Sequence, residues 1–261
     1  VQRHRFNRFA VEQAVVPSLA ALLGGRYLRR SAEGREPGEP DLTVRVLVSD
    51  GVVTAAVRVG AQPLHRRDWK RDTGPGTLHP PLAAALARLA APTPGQTVLD
   101  PFCGDGTVAV ETALACPAVR VTARDLDPVR LENTRRNAAR AGVTIATEQA
   151  DAGQATGRPD AVITNPPWNL AVDGAGTLRQ GLDAWWRRVP FLLQPHGRFV
   201  GITEGDLLVL GPLSRDGLEV GLFTRVRVAG RVADVVLASP GGRAELPEGL
   251  RGWREHAIAA W

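Results

Sequence analysis

The tetrapeptide Asn165-Pro166-Pro167-Trp168 carries the residue types that a site for an amine requires. It directly follows an apolar run, residues 161–164, which is typical of a buried strand. The two prolines fix the backbone of the loop, so the carbonyl oxygens of Asn165 and Pro166 can jointly accept both hydrogens of one amino group. The indole of Trp168 offers a flat surface on which a base can stack. The pattern therefore predicts catalytic roles for Asn165, Pro166 and Trp168.

A glycine-rich turn, DPFCGDGT at Asp100–Thr107, joins a short apolar run to a helical pattern. Gly104 and Gly106 allow a tight turn whose backbone approaches a ligand, and the first N–H groups of the following helix are free to bind it. Asp100 closes the first strand, and Asp125 closes the next strand some twenty residues further on, roughly the spacing of dinucleotide-binding folds. That spacing is typical of a carboxylate that binds the hydroxyl groups of a ribose.

The acidic residues indicate which ligand this turn binds. Asp100 and Asp105 would repel a pyrophosphate, so a ligand with a sugar and an ammonium group fits better, and S-adenosyl-L-methionine has both. Asp151 follows the run 144–149, where a short acid can accept a hydrogen bond from the adenine amino group; an ordinary loop carboxylate is the alternative. The predicted cofactor-binding residues are Asp100, Phe102, Gly104, Gly106, Asp125, Asp151 and Asn165.

Strand and helix patterns alternate from residue 97 onward. We predict strands at 97–100, 119–123, 143–147, 160–164 and 198–203, helices at 82–89, 107–115, 128–141 and 178–193, and a terminal hairpin of 218–228 with 231–239. Such alternation predicts an α/β fold, Rossmann-like, with a mostly parallel doubly wound sheet. Ligands of such sheets bind at the carboxyl ends of the strands, where the candidate residues stand.

A different pattern precedes this domain. Residues 1–62 contain one amphipathic helix, 9–23, and two β-like runs around Asp50-Gly51, a dipeptide typical of a hairpin. Because a helix and a hairpin bury little apolar area, we expect this α+β module to be part of a larger one. We therefore predict a partial module at 1–62, a basic junction at 63–78 and the Rossmann-like domain at 79–261.

Composition and charge limit the classes of function. The formal net charge is +5, and residues 1–75 hold 13 of the 32 Lys and Arg against 8 Asp and Glu. This excess predicts an anionic partner; codon usage is the alternative, since every basic residue except Lys70 is arginine. Two cysteines and five histidines without ligand spacing predict no metal. No apolar run reaches the roughly 20 residues that span a bilayer, so we expect no membrane segment and a cytoplasmic protein.

Together, Asp100–Thr107 and Asn165–Trp168 resemble the motifs of S-adenosylmethionine-dependent methyltransferases that act on amino nitrogens. The junction LHRRDWKR, residues 64–71, resembles the same region of THUMP-domain RNA methyltransferases. This resemblance, which covers most of residues 42–203, implies a class I methyltransferase domain preceded by a THUMP-like RNA-binding module. It also implies methyl transfer to an exocyclic amino nitrogen of an RNA base, preferably guanine N2 in tRNA, with rRNA as the second substrate.

The chain departs from the pattern of this family at two places. The family usually has serine where Asp105 stands, and commonly tyrosine and glycine where Trp168 and Asn169 stand. Tryptophan keeps the stacking plane, whereas the loss of glycine changes the shape of the base pocket. The resemblance implies that Asn165 and Pro166 hold the amino hydrogens while Trp168 stacks on an extruded base.

Three other interpretations stay open. A DNA adenine methyltransferase shares this architecture but needs a target-recognition region. A protein glutamine methyltransferase also has an Asn-Pro-Pro-aromatic loop but does not need an arginine-rich junction. The third is a non-catalytic RNA-binding protein with a degenerate methyltransferase fold, against which the intact Gly104, Gly106, Asp125 and Asn165 argue.

Overall fold

The computed structural model describes residues 7–28, 42–49, 52–58, 63, 65–168, 174–204, 213, 217–228, 230–241 and 246. Val1–Gln62 and Pro63–Trp261 form separate compact units. The turn at Asp50-Gly51, the junction residue Leu64 and the departure from the family pattern at Asn169 lie outside the described residues.

The described part of the smaller unit holds one helix and one hairpin. Helix α1 (Arg8–Leu23) begins at Asn7, whose side chain accepts hydrogen bonds from the first N–H groups of the helix, and it ends at Gly24. Strands β1 (Val44–Ser49) and β2 (Val52–Val57) pair antiparallel. All residues of β2 are exposed, so the described hairpin buries little apolar surface.

In the larger unit, the described residues form a seven-stranded sheet in the order β5-β4-β3-β6-β7-β9-β8. Five strands are parallel: β3 (Thr97–Asp100), β4 (Arg120–Asp125), β5 (Ala146–Gln149), β6 (Ala161–Thr164) and β7 (Arg198–Glu204). Strand β9 (Arg231–Pro240) lies antiparallel between β7 and β8 (Leu218–Val228). Because β4 and β6 lie on opposite sides of β3, the strand order reverses there and opens a crevice at the carboxyl ends of β3 and β6.

Helices cover both faces of this sheet. Helices α2 (Pro80–Ala90), α3 (Thr107–Ala115) and α4 (Pro128–Ala141) contribute to an apolar cluster with Ile163 and Val200. Helix α5 (Asp183–Leu192) contributes Trp185 and Trp186 to a second cluster, and both indoles are buried. The predicted α/β fold with a mostly parallel sheet is confirmed.

The two predicted boundaries that differ most from the structure were wrong for local reasons. Strand β5 begins at Ala146 and not at Val143, because the N–H of Val143 bonds to the carbonyl of Ala138 and closes the end of α4 beyond Gly142. Helix α5 begins at Asp183 and not at Leu178. The chain from Gly176 to Leu178 is a short 3₁₀ turn, and Gly181 has φ 135°, a conformation that interrupts a helix.

Within the ranges given above, no helix is both long and apolar enough to cross a membrane. The same residues include no cluster of three or more His, Cys, Asp and Glu side chains able to hold a metal ion. Cys103 and Cys116 are buried free thiols.

Candidate active site

The glycine-rich turn after β3 is tied to the end of the neighbouring strand β4. The N–H of Gly104 donates to Asp125 Oδ2 at 2.9 Å, and the N–H of Asp127 donates to Oδ1 at the same distance. Burial raises the pKa of Asp125, although these hydrogen bonds partly offset it. Gly106, with φ 82°, begins α3. The turn therefore presents backbone and a carboxylate side by side, as a bound ribose requires.

Asp100 is buried at the end of β3, at the reversal of strand order. Its Oδ1 accepts hydrogen bonds from Thr164 Oγ1 at 3.1 Å and from the N–H of Phe102 at 3.4 Å. Its Oδ2 is buried and has no partner in the described part of the chain. Burial raises the pKa of Asp100 to about 7. Buried polar oxygens of native proteins are normally hydrogen-bonded, and the ammonium group of a cofactor fits this position.

Asp151 holds the loop after β5. Its Oδ1 accepts from the N–H of Gly153 and from Thr177 Oγ1, both at 2.9 Å, and its Oδ2 accepts from the N–H of Thr177 at 2.7 Å. Partial burial raises the pKa of Asp151, but these hydrogen bonds lower it by more than burial raises it. The pKa of Asp151 therefore lies below its ordinary value. A cavity of about 610 Å³ lies beside it, lined by Leu126 and Ala150 among others. Its contact with adenine stays a prediction.

Asn165 follows β6 and is oriented by the junction. Its Nδ2 donates to the carbonyl oxygen of Gly76 at 3.1 Å. Because a carbonyl oxygen only accepts, the NH₂ group of the amide must face Gly76, and the amide oxygen faces the other way. That oxygen, Oδ1, is buried and unpaired among the described residues. The site thus holds an acceptor ready for an N–H donor.

Two of the remaining predicted residues, Trp168 and Phe102, pack against the two apolar clusters. Pro166 is buried, and Trp168 is half-buried against the cluster under α2 and α3, which leaves part of its indole accessible. The ring of Phe102 meets Trp185 edge to face, with 5.1 Å between centroids. The stacking role of Trp168 and the cofactor contact of Phe102 stay predictions.

Asp105 faces the protein and not the ligand crevice, which corrects part of the charge argument. The sequence suggested that Asp105 repels a bound pyrophosphate. In the structure its buried Oδ2 pairs with Arg130 Nη1 at 2.5 Å, and its Oδ1 accepts from Asn133. Asp100 therefore remains the acidic residue at the end of β3 whose buried oxygen has no partner among the residues described.

The candidate side chains meet at one edge of the sheet. Asp100, Asp125 and Asn165 stand at or just beyond the carboxyl ends of β3, β4 and β6, which are neighbours in the sheet. The sequence did not indicate Gly76 as the partner of Asn165. Gly76 belongs to the Gly-Pro-Gly tripeptide 74–76 near the end of the predicted junction, and that pattern carries no sign of a contact with Asn165.

Comparison with known proteins decides the family. Residues 67–231 match the family model described as RMKL-like, methyltransferase domain. This chain belongs to that family. The crystal structure of TrmN from Thermus thermophilus has 30% sequence identity and a TM-score of 0.68, over 92% of this chain and 69% of that one. The predicted methyltransferase domain and its cofactor, S-adenosylmethionine, are confirmed, whereas the THUMP part of the predicted family stays a prediction.

Curated members of the tRNA (guanine-N2) methyltransferases are similar to this RMKL-like chain. The tRNA (guanine(6)-N2)-methyltransferase of Archaeoglobus fulgidus is 27% identical over 227 residues, 73% of this chain and 58% of the relative. The enzyme of the same name from Thermus thermophilus is 36% identical over 173 residues, 63% of this chain and 50% of the relative. The chain thus spans about half the length of these relatives.

Proposed function

We propose that this chain transfers a methyl group from S-adenosylmethionine to the exocyclic N2 of a guanine in tRNA. The observation that carries the proposal is the amide of Asn165, whose buried oxygen is turned away from Gly76 and has no partner among the described atoms. The family match supports methyl transfer, and the names of the relatives support guanine N2 and tRNA.

The residues at the crevice fit the cofactor. Bound S-adenosylmethionine supplies a sulfonium-activated methyl group, so the protein needs neither a metal nor a covalent intermediate for the transfer. The unpaired oxygen of Asp100 would accept from the ammonium group. Asp125 would accept from the ribose hydroxyls through its remaining lone pairs, and the turn at Gly104 and Gly106 lets the backbone approach.

The amine site is proposed to act by holding the amino group of the base in a fixed orientation. Asn165 Oδ1 and the carbonyl oxygen of Pro166 would accept the two hydrogens of the amino group, which turns the nitrogen lone pair toward the methyl group. As the nitrogen gains positive charge, these oxygens stabilise it more strongly than in the ground state. Trp168 would stack on the base once it leaves its helix.

RNA recognition is proposed for the part of the chain before the methyltransferase domain. We infer that residues 1–62 are part of a THUMP-like RNA-binding module, that 63–78 is the junction, and that 79–261 is the catalytic domain. The excess of basic residues in 1–75 suits phosphate binding. With tRNA as the proposed substrate, we infer that the protein acts in the cytoplasm.

Nucleoside mass spectrometry tests this function. The chain is incubated with isotopically labelled S-adenosylmethionine and, separately, unmodified tRNA transcripts, rRNA, duplex DNA and bacterial protein extract. We expect labelled N2-methylguanosine from tRNA, formed about 10²–10³-fold more slowly by the Asn165→Ala variant, which controls for contaminating enzymes. Labelled N6-methyladenine in DNA or methylglutamine in protein would instead favour the alternatives, and no label in any substrate despite cofactor binding would favour a non-catalytic RNA-binding protein.

A further inference from the structure

A buried carboxylate lies at the centre of a polar cluster behind the glycine-rich turn. Asp105 Oδ2 pairs with Arg130 Nη1 at 2.5 Å and lies 2.8 Å from Thr77 Oγ1, while Oδ1 accepts from Asn133 Nδ2 at 2.8 Å. The Asp105 side chain is 0% exposed, and that of Arg130 is 18% exposed. A buried charge without a partner is costly, so Asp105 holds the guanidinium firmly in place.

The same guanidinium holds a short piece of the junction, residues 74–76, which we call the strap. Arg130 Nη2 donates to the carbonyl oxygen of Pro75 at 3.0 Å. A Cβ atom added at Gly74 would lie 2.5 Å from Arg130 Nη1, so the guanidinium lies directly against the strap backbone. The N–H of Gly74 donates to Thr77 Oγ1 at 3.4 Å, so Thr77, whose hydroxyl donates to Asp105 Oδ2, joins the strap to Asp105 a second time.

The far end of the strap is the partner of the amine site. Gly76, with φ 73°, points its carbonyl oxygen at Asn165 Nδ2, 3.1 Å away. We propose that Asp105 and Arg130 are positioning residues for methyl transfer, because they hold the strap in the place from which Gly76 orients the amide of Asn165. This inference rests on the proposed function of Asn165.

Other contacts keep the junction attached when this pair is removed. Lys70 Nζ donates to the carbonyl oxygen of Leu78 at 2.8 Å, and Asn137 Nδ2 donates to that of Asp72 at 2.8 Å. Removing both charges of the pair leaves no buried unpaired ion, so the variant should fold. The double substitution Asp105→Asn with Arg130→Gln, here the neutral variant, therefore loosens the strap selectively.

A double-mutant cycle with Asn165 tests the inference on tRNA transcripts with S-adenosylmethionine. The neutral variant should lower kcat about tenfold, as expected for a misplaced polar group, with KM for tRNA and the affinity for S-adenosylhomocysteine unchanged. In the Asn165→Ala background the neutral substitutions should lower kcat no further, because they act on kcat through the amide of Asn165. Equal losses in both backgrounds, or an unchanged kcat, would overturn the proposal. Glu132→Gln with Arg135→Gln neutralises an exposed pair on the same helix and is the control.

Hydrogen exchange supplies a readout that does not depend on activity. The N–H of Gly74 donates to Thr77 Oγ1 and the N–H of Thr77 donates to the carbonyl oxygen of Gly74, both at 3.4 Å. In the neutral variant these two amides should exchange at least about tenfold faster than in the parent and the control. Unchanged exchange would overturn the positioning role even in an active enzyme. A parent chain that methylates no RNA would instead overturn the proposed function, and with it the role assigned to the strap, whatever the exchange rates.

Discussion

Thr164 and Asp100 share a hydrogen bond across the two central strands, with 3.1 Å between Thr164 Oγ1 and Asp100 Oδ1. The bond fixes the carboxylate at the reversal of strand order and leaves Oδ2 buried with no partner among the atoms described. Burial raises the pKa of Asp100 to about 7, far above its ordinary 3.8. The stability of the unliganded chain should therefore depend on pH through this residue.

Asp100→Asn should stabilise the unliganded chain more at high than at low pH. Between about pH 4 and pH 7 the folded chain keeps a proton that the unfolded chain has lost, so the stability contribution of Asp100 is complete below that window and is lost as the pH rises through it. In urea unfolding, the increase in unfolding free energy from parent to variant at about pH 8 should exceed the increase at about pH 5 by up to a few kcal/mol.

Asp160→Asn is the matched control. Hydrogen bonds from the backbone and side chain of Thr97 lower the pKa of Asp160. The stability that Asp160 contributes is therefore present above its ordinary pKa and is lost only as the pH falls through the lowered pKa of the folded chain. Asp160→Asn should therefore change the unfolding free energy equally at about pH 5 and at about pH 8. If Asp100→Asn also changed it equally at the two pH values, burial would not raise the pKa of Asp100.

Asp125→Ala should weaken cofactor binding while the fold survives. The substitution removes a charge-assisted hydrogen bond of ~1.5–3 kcal/mol, so calorimetry with S-adenosylhomocysteine should show roughly a ten- to hundredfold loss of affinity. Asp127→Ala is the comparison, because Asp127 caps α4 by accepting from the N–H of Val129 at 2.8 Å. It should lower stability by ~0.5–2 kcal/mol and leave affinity nearly unchanged. The reverse pattern would move the ribose site to Asp127.

The two glycines of the cofactor turn should differ in their tolerance of alanine. Both have positive φ, but a Cβ at Gly106 would lie 2.7 Å from Thr134 Cγ2, whereas a Cβ at Gly104 would meet nothing within 4 Å. Gly104→Ala should cost about 1–2 kcal/mol of strain. Gly106→Ala should cost about 1–3 kcal/mol more, since the core must also move. Equal unfolding free energies for the two variants would mean that the turn adapts freely.

The smaller unit should contribute to the salt dependence of RNA binding. Arg45 and Arg58 are exposed there, and replacing both with glutamine should reduce the slope of log affinity against log salt by roughly 0.7–0.9 per lost phosphate contact. Arg120 and Arg158 are exposed at the amino-end edge of the sheet, opposite the site, and their replacement should leave the slope unchanged. If the slope of log affinity against log salt were equal for the two double variants, Arg45 and Arg58 would not bind phosphates, and the excess of arginine would reflect codon usage.

The sequence predicted those features that are encoded locally. Alternating strands and helices, with Asp100, Asp125 and Asn165 each at a strand end, were enough to bring these residues to one edge of the sheet. The contacts of Gly76 with Asn165 and of Asp105 with Arg130 join residues far apart in the chain, and no periodicity encodes them. The 3₁₀ turn before α5 was missed because Leu178 fits the apolar spacing of a helix although Gly181 interrupts it.

The central claim is that Asn165 acts on the amine during transfer, whereas Trp168 holds the base before it. Trp168→Ala should raise KM for tRNA, because stacking contributes ~1–3 kcal/mol already in the ground state. Asn165→Ala should act on kcat alone, because its oxygen is needed when charge develops on the nitrogen.

The decisive measurement is therefore the steady-state rate of N2-methylguanosine formation by Asn165→Ala at saturating tRNA and cofactor. We predict a fall in kcat of about 10²–10³-fold with unchanged affinity for S-adenosylhomocysteine. Methylation of tRNA at the rate of the parent chain would contradict the account, since the Asn-Pro-Pro-Trp loop would then not be the amine site.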